Sequence, residues 1–114
     1  MTTAVSSTAT SIRHATPEDL ASIERLLTDA DLPTAGVSEI LNERPADFFV
    51  AESRDAPGQL VAVAGLEMCC DDALLRSVAV HLEWRGHGLG RDLIKRIVCH
   101  AEERGIRALY LLTM

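Results

Sequence analysis

Lysine is all but missing from this chain of 114 residues: Lys95 stands alone, and every other basic residue is an arginine. Cationic contacts therefore fall to planar, permanently charged guanidinium groups, whose forked donors suit phosphates and carboxylates. No stretch gathers like charges, and 11 basic against 17 acidic residues leave a net charge of −6. A nucleic-acid or anionic-membrane surface is therefore not indicated. Cysteine is equally sparse. Three residues, two of them adjacent as Cys69-Cys70, make neither an even disulfide framework nor the paired spacing of a zinc site, so they read as reduced thiols with no metal. Cys99 lies in a helical pattern and is most simply a small, partly buried hydrophobe; a reactive thiol is the rarer alternative. No apolar run nears the roughly 20 residues of a membrane helix, and the start has no basic segment leading into an apolar one. A soluble, cytoplasmic protein is the expectation.

What remains is ordinary globular composition, 47% apolar and 25% charged, in a length that suits one core. The Ser/Thr/Ala-rich opening reads as a disordered tail over residues 1–10, before a single domain at 11–114. Ser11–His14 is a strand candidate. Thr16-Pro17-Glu18-Asp19 then sets an N-cap, a first-turn proline and two carboxylates in the order that opens a helix. Leu20, Ile23, Leu27 and Ala30 continue that helix at three- and four-residue spacing until Leu32-Pro33 ends it. A shorter helix is predicted within Thr34–Asn42. Asp47–Ser53 and Gln59–Met68 read as two strands around the turn Arg54-Asp55-Ala56-Pro57-Gly58, with a further turn at Cys69–Asp72 and a third strand at Ala73–Val80. Leu89–Arg104 is the strongest helix, stopped by Gly105. Ile106–Leu112 is a near-continuous apolar strand of the kind buried on both faces, parallel to the strand before the helix.

The segment Arg85-Gly86-His87-Gly88-Leu89-Gly90 sits between that third strand and the long helix. Three glycines in five residues bare the backbone where the free amides of a first helical turn carry the positive end of the dipole, so an anion belongs there. Arg85 and Arg91 flank it and point to phosphate or pyrophosphate. A P-loop is disfavoured because no lysine follows Gly90 directly. A dinucleotide fold is disfavoured because the glycines run G-x-G-x-G and the next strand ends Leu111-Leu112 instead of in an acid.

Arg85-x-x-Gly88-x-Gly90, after Leu74-Leu75-Arg76-Ser77-Val78-Ala79-Val80 and before an amphipathic helix, resembles the acetyl-CoA motif of the GNAT N-acetyltransferases. The order β-α-α-β-β-β-α-β agrees with that α/β (α+β) fold, a mixed, mostly antiparallel sheet flanked by helices. Within the superfamily, Leu32-Pro33-Thr34, Val63-Ala64-Gly65-Leu66-Glu67, Ala73–Val80 and Leu109-Tyr110-Leu111-Leu112-Thr113 are similar to the arsenic-resistance (arsinothricin) N-acetyltransferases.

The resemblance implies acetyl-CoA as cosubstrate and a small amine such as arsinothricin or phosphinothricin as acceptor. The backbone of Val78 and Val80 would pair with pantetheine, and the amides of Gly86, His87, Gly88, Leu89 and Gly90 would hold the pyrophosphate beside Arg85 and Arg91. An amide near Val78 would polarise the thioester carbonyl for direct attack by the amine. Glu67 is the candidate base, against the plainer reading of a solvated strand-end carboxylate. Arg76, a charge inside an apolar strand, meets either an acidic acceptor or an internal salt bridge. His81 and His87 are read as surface imidazoles, with chemistry the minor alternative, Trp84 as packing for the loop, and Tyr110 as core. A non-catalytic acyl-CoA-binding module and an enzyme acting on a protein or peptide amine are the alternative functions.

Domains of this family continue into a further helix and two strands, which usually supply a tyrosine acid for the leaving thiolate. This sequence ends at Met114, so the resemblance implies a curtailed domain in which the uncharged edge Ala108–Leu112 pairs with another copy.

Overall fold

The computed structural model describes residues 10–69 and 71–111. Eight elements follow in order: β1 (Thr10–His14), α1 (Leu20–Asp29), α2 (Val37–Glu43), β2 (Phe48–Ser53), β3 (Leu60–Cys69), β4 (Asp72–Val80), α3 (Leu89–Glu103) and β5 (Ala108–Leu111), with short 3-10 turns at Pro17–Asp19, Pro45–Asp47 and Leu82–Trp84. The five strands form one sheet in chain order. β1 to β4 are antiparallel to their neighbours, and β5 runs parallel to β4, pairing Asp72–Leu75 with Ala108–Leu111. α3 is the crossover that a parallel pair requires.

Two apolar layers sandwich the sheet. Leu89, Leu93, Ile97 and Ala101 recur every four residues along α3 and bury one face with Phe49, Ala51 and Leu75. Ile23, Leu26 and Leu27 of α1 and Val37 and Leu41 of α2 cover the other with Phe48, Val50 and Val63. Each buried leucine or isoleucine contributes on the order of 2 kcal/mol relative to exposure. β2 is thus buried on both sides, its residues alternating between the two layers. Gly65 faces Phe48 across the β2–β3 ladder, and a Cβ there would lie 2.5 Å from the Phe48 ring, so the ring occupies the room a side chain would take.

The helical path starts where its composition says, but as a 3-10 turn over Pro17–Asp19, with α1 following from Leu20. The Thr16 amide donates to Asp19 Oδ2 at 2.8 Å, and Arg13 of β1 grips the same carboxylate with Nη1 at 2.8 Å and Nη2 at 3.0 Å. Pro17 initiates the 3-10 turn that leads into α1. Beyond the C-cap of α3, Gly105, at φ +73°, turns the chain out of the helix.

Several boundaries differ from the sequence reading. Thr10 is a buried residue of β1 instead of tail, because it pairs with Ser53; residues 1–9 lie outside the described residues. Asp47 closes a 3-10 turn instead of opening β2. β3 runs on to Cys69 and β4 begins at Asp72, which shortens the intervening turn. β5 is Ala108–Leu111, with Leu112 outside the described residues, and it is not sealed on both faces: Tyr110, read as core, is 57% exposed. Cys99 is exposed, since it projects from the outer side of α3. No helix among the described residues is long and apolar enough to cross a membrane.

Candidate functional site

The site is built on a defect in β4. Gly65 pairs with Arg76 and Val63 with Ala79, so Ser77 and Val78 together oppose Ala64. Ser77 takes φ +58°, a left-handed conformation that costs a non-glycine residue on the order of 1 kcal/mol. Such a bulge re-aims the side chains beyond it. Val78 and Val80 pack toward the α3 layer while Ala79 joins the opposite core. Nothing in the composition of Ala73–Val80 announces this bulge, because serine is not the residue that positive φ normally selects.

Beyond Val80 the chain is locked down before it reaches the glycines. The His81 amide donates to Val61 O at 2.7 Å, the Trp84 amide to His81 O at 2.8 Å, and the Glu83 amide to His81 Nδ1 at 3.1 Å. His81 is therefore a cap for the turn, and Trp84 packs on the α3 core, as its place before the motif implied. Arg85 turns back, its Nε donating to Val80 O at 3.0 Å. Gly86 at φ +83° and Gly88 at φ +79° then carry the loop through left-handed backbone that an L side chain adopts only under strain.

Leu89 is buried and plants the first turn of α3. The first helical bond runs from the Asp92 amide to Gly88 O at 3.0 Å, which leaves the amides of Leu89, Gly90 and Arg91 without an acceptor inside the helix. These amides and the dipole of a 15-residue helix face outward past the exposed Arg85, Gly86, His87, Gly88 and Arg91. Gly90 is close-packed, its missing Cβ only 3.5 Å from Val80 Cγ2, so the helix start and the strand end lie against each other. A cleft of about 370 Å³ opens beside them between Val80, His81, Arg85 and the last turn of α1, where Leu26 and Asp29 line it. The α1 residues carry no signal in the sequence for that position.

Arg76 and Glu67 are brought together. Arg76 Nη1 donates to Glu67 Oε1 at 2.6 Å, Nη2 to Ala35 O at 2.6 Å and Nε to Ser77 Oγ at 3.0 Å. The salt-bridge alternative for Arg76 is thus realised. Its side chain is 16% exposed and that of Glu67 is 50% exposed, so the carboxylate keeps an accessible side. His87 stays exposed on the loop. The arrangement sets a helix start with outward-facing amides at the end of β4, a bulge behind it, and a solvent-reaching carboxylate on the neighbouring strand.

The family model of the acetyltransferase (GNAT) domain matches residues 44–114. Among curated proteins, the ribosomal protein bS18 alanine N-acetyltransferase of Escherichia coli is 33% identical over 69 residues, 60% of this chain and 44% of that protein. The amino-acid acetyltransferase of Mycobacterium tuberculosis is 31% identical over 74 residues, 64% of this chain and 42% of that protein. The chain thus spans less than half the length of these relatives. Among solved structures, a Mycobacterium tuberculosis protein crystallised with CoA superposes with a TM-score of 0.76 at 26% identity, covering 91% of this chain and 64% of the other. N-acetylglutamate synthase of Neisseria gonorrhoeae, solved with coenzyme A and L-arginine, gives 0.77 at 25% identity over 92% of this chain and 24% of the other.

Proposed function

Because the chain belongs to the GNAT acetyltransferase family, we propose that it binds acetyl-CoA at the start of α3 and transfers the acetyl group to the amine of a small, amino-acid-like acceptor. The carrying observation is the pair of left-handed glycines, Gly86 and Gly88, that present first-turn amides beside Arg85 and Arg91. These groups fit a diphosphate: exposed N–H donors, the positive end of a helix dipole and two guanidinium groups. Arg85 keeps its Nη donors for that purpose while its Nε holds Val80 O.

In this reading the backbone of Val78 and Val80 aligns the pantetheine arm, and the Val78 amide stabilises the oxyanion formed when the amine attacks the thioester. Glu67 takes the proton from the acceptor ammonium through its exposed carboxylate. Holding both reactants along one strand converts a bimolecular encounter into an oriented one, which supplies much of the rate.

The similarity to an amino-acid acetyltransferase supports a free amino acid or its analogue as acceptor. Arsinothricin or phosphinothricin is the specific acceptor suggested by the sequence phrases around Gly65, Arg76 and Tyr110. Release of free CoA thiol from acetyl-CoA, measured with and without phosphinothricin or arsinothricin, tests the assignment: acceptor-dependent release supports it, and none above background contradicts it. The similarity to a ribosomal-protein acetyltransferase favours a second reading, a peptide N-terminal amine, which an alanine-ending peptide in the same assay would reveal. CoA binding without turnover on either acceptor would point to a non-catalytic module.

A further inference from the structure

The α1–α2 connection packs Leu32 against the core and is tied to β4 through the Arg76 side chain. Ala35 O accepts from Arg76 Nη2 at 2.6 Å across 41 residues of sequence, while the same guanidinium reaches Glu67 and the bulged Ser77. Gly36, next in the loop, has φ +85°, and a Cβ there would lie 3.1 Å from Arg76 Nη1. The left-handed backbone favours glycine here, and any side chain would also push the arginine tip aside by a few tenths of an ångström. Beyond the contact, the Val37 amide donates to Thr34 O at 3.2 Å and the Ile40 amide to Gly36 O at 3.1 Å, so α2 begins directly from the pinned segment.

We propose that Arg76 is a positioning residue that brackets loop 33–36 to the β4 bulge and holds it beside Glu67, the candidate base. The bracket rests on the acetyltransferase reading for its consequence in turnover, but not for its structural content. A planar fork serves three acceptors at fixed angles, which neither an ammonium nor an apolar side chain does. Losing it frees the loop while leaving the α3 start untouched, since Arg85, Gly86, Gly88 and Arg91 make no bond to Arg76.

Hydrogen exchange on the full chain, with Arg76→Met and the milder Arg76→Lys, provides the test. The amides of Val37 and Ile40 are expected to exchange about tenfold faster in Arg76→Met and by a smaller factor in Arg76→Lys, with Leu93, Ile97 and the β2–β3 ladder unchanged. Unaltered exchange at Val37 and Ile40 in both variants would overturn the proposal, as would an equal increase throughout the sheet in both.

A kinetic arm separates a bracket from a direct anion receptor. With an amino-acid acceptor and its carboxamide, Arg76→Lys should raise KM for both by a similar factor and leave KM for acetyl-CoA alone. A rise confined to the carboxylate form would overturn the bracket in favour of direct recognition. If wild-type protein takes up no CoA, the acetyltransferase reading fails while the exchange result still decides the bracket.

Discussion

Arg104 Nη1 reaches Asp47 Oδ1 at 2.8 Å and ties the C-cap of α3 to the turn that precedes β2. His100 Nε2 lies 3.0 Å from the same oxygen, and Asp47 is only 1% exposed, so the carboxylate is a buried anchor for the second half of the helix. Its Oδ2 has no hydrogen-bond partner among the described residues, which raises the cost of weakening the side that does. Arg104→Ala should lower stability by about 2 kcal/mol, because it strands a buried anion with a single remaining partner. Urea denaturation measures the change; a difference below a few tenths of a kcal/mol would show the contact to be idle.

The room left by Gly65 is already filled. Gly65→Ala drives a methyl group to within 2.5 Å of the Phe48 ring, in the middle of β3 and against a wholly buried aromatic. The ring and the ladder must both shift, and a loss of about 2 to 3 kcal/mol is expected. Thermal unfolding of the variant should show a clearly lower Tm, and an unchanged Tm would mean that Phe48 moves aside freely.

Acid should loosen the join between β1 and α1. The Arg13 guanidinium bound to Asp19 holds that carboxyl below its usual range, with the Thr16 amide adding to the effect. Glu52 is lowered as well, first by the Gly58 amide and then by Arg13. A depressed folded-state pKa stabilises the fold at every pH above the unfolded carboxylate value near 4, and the contribution fades as pH falls through the lower folded value. Asp19→Asn should therefore cost on the order of 1 kcal/mol at pH 7 and progressively less as pH falls below the unfolded carboxylate value. Paired denaturation curves from pH 7 downward check the sign; a gap that widens on acidification would refute it.

Glu67→Gln keeps the shape of the side chain and removes the proton acceptor. Acceptor-dependent CoA release should fall about a hundredfold at neutral pH while CoA binding is retained. Full activity in this variant would return Glu67 to the role of a strand-end carboxylate that merely pairs with Arg76.

Much of this fold can be read from local pattern. The Thr16-Pro17 start, the four-residue spacing from Leu89 to Ala101 and the glycine stop at 105 each act over a few residues, and each helix appears where those signals place it. The glycine loop is legible for the same reason, since glycines at 86 and 88 occupy the positions with positive φ.

What escaped the sequence depends on contacts between distant residues. Asp47 meets Arg104 across 57 positions and Arg76 meets Ala35 across 41, and neither charge pattern nor periodicity reports such pairs. The bulge at Ser77 is set by the register of β3 against β4, not by its own residue type. Tyr110 was misplaced because an apolar run does not reveal which of its faces the sheet covers.

Calorimetric titration of CoA into wild-type protein and Gly88→Glu bears most directly on the central claim. Gly88 has open space around it, so the glutamate adds strain at φ +79° and a negative charge at the helix start without crowding the core. Saturable uptake by the wild type, weakened at least about tenfold in a folded variant, is the predicted result. No uptake by folded wild-type protein, or equal affinity in both, would contradict the assignment of the α3 start as the diphosphate site.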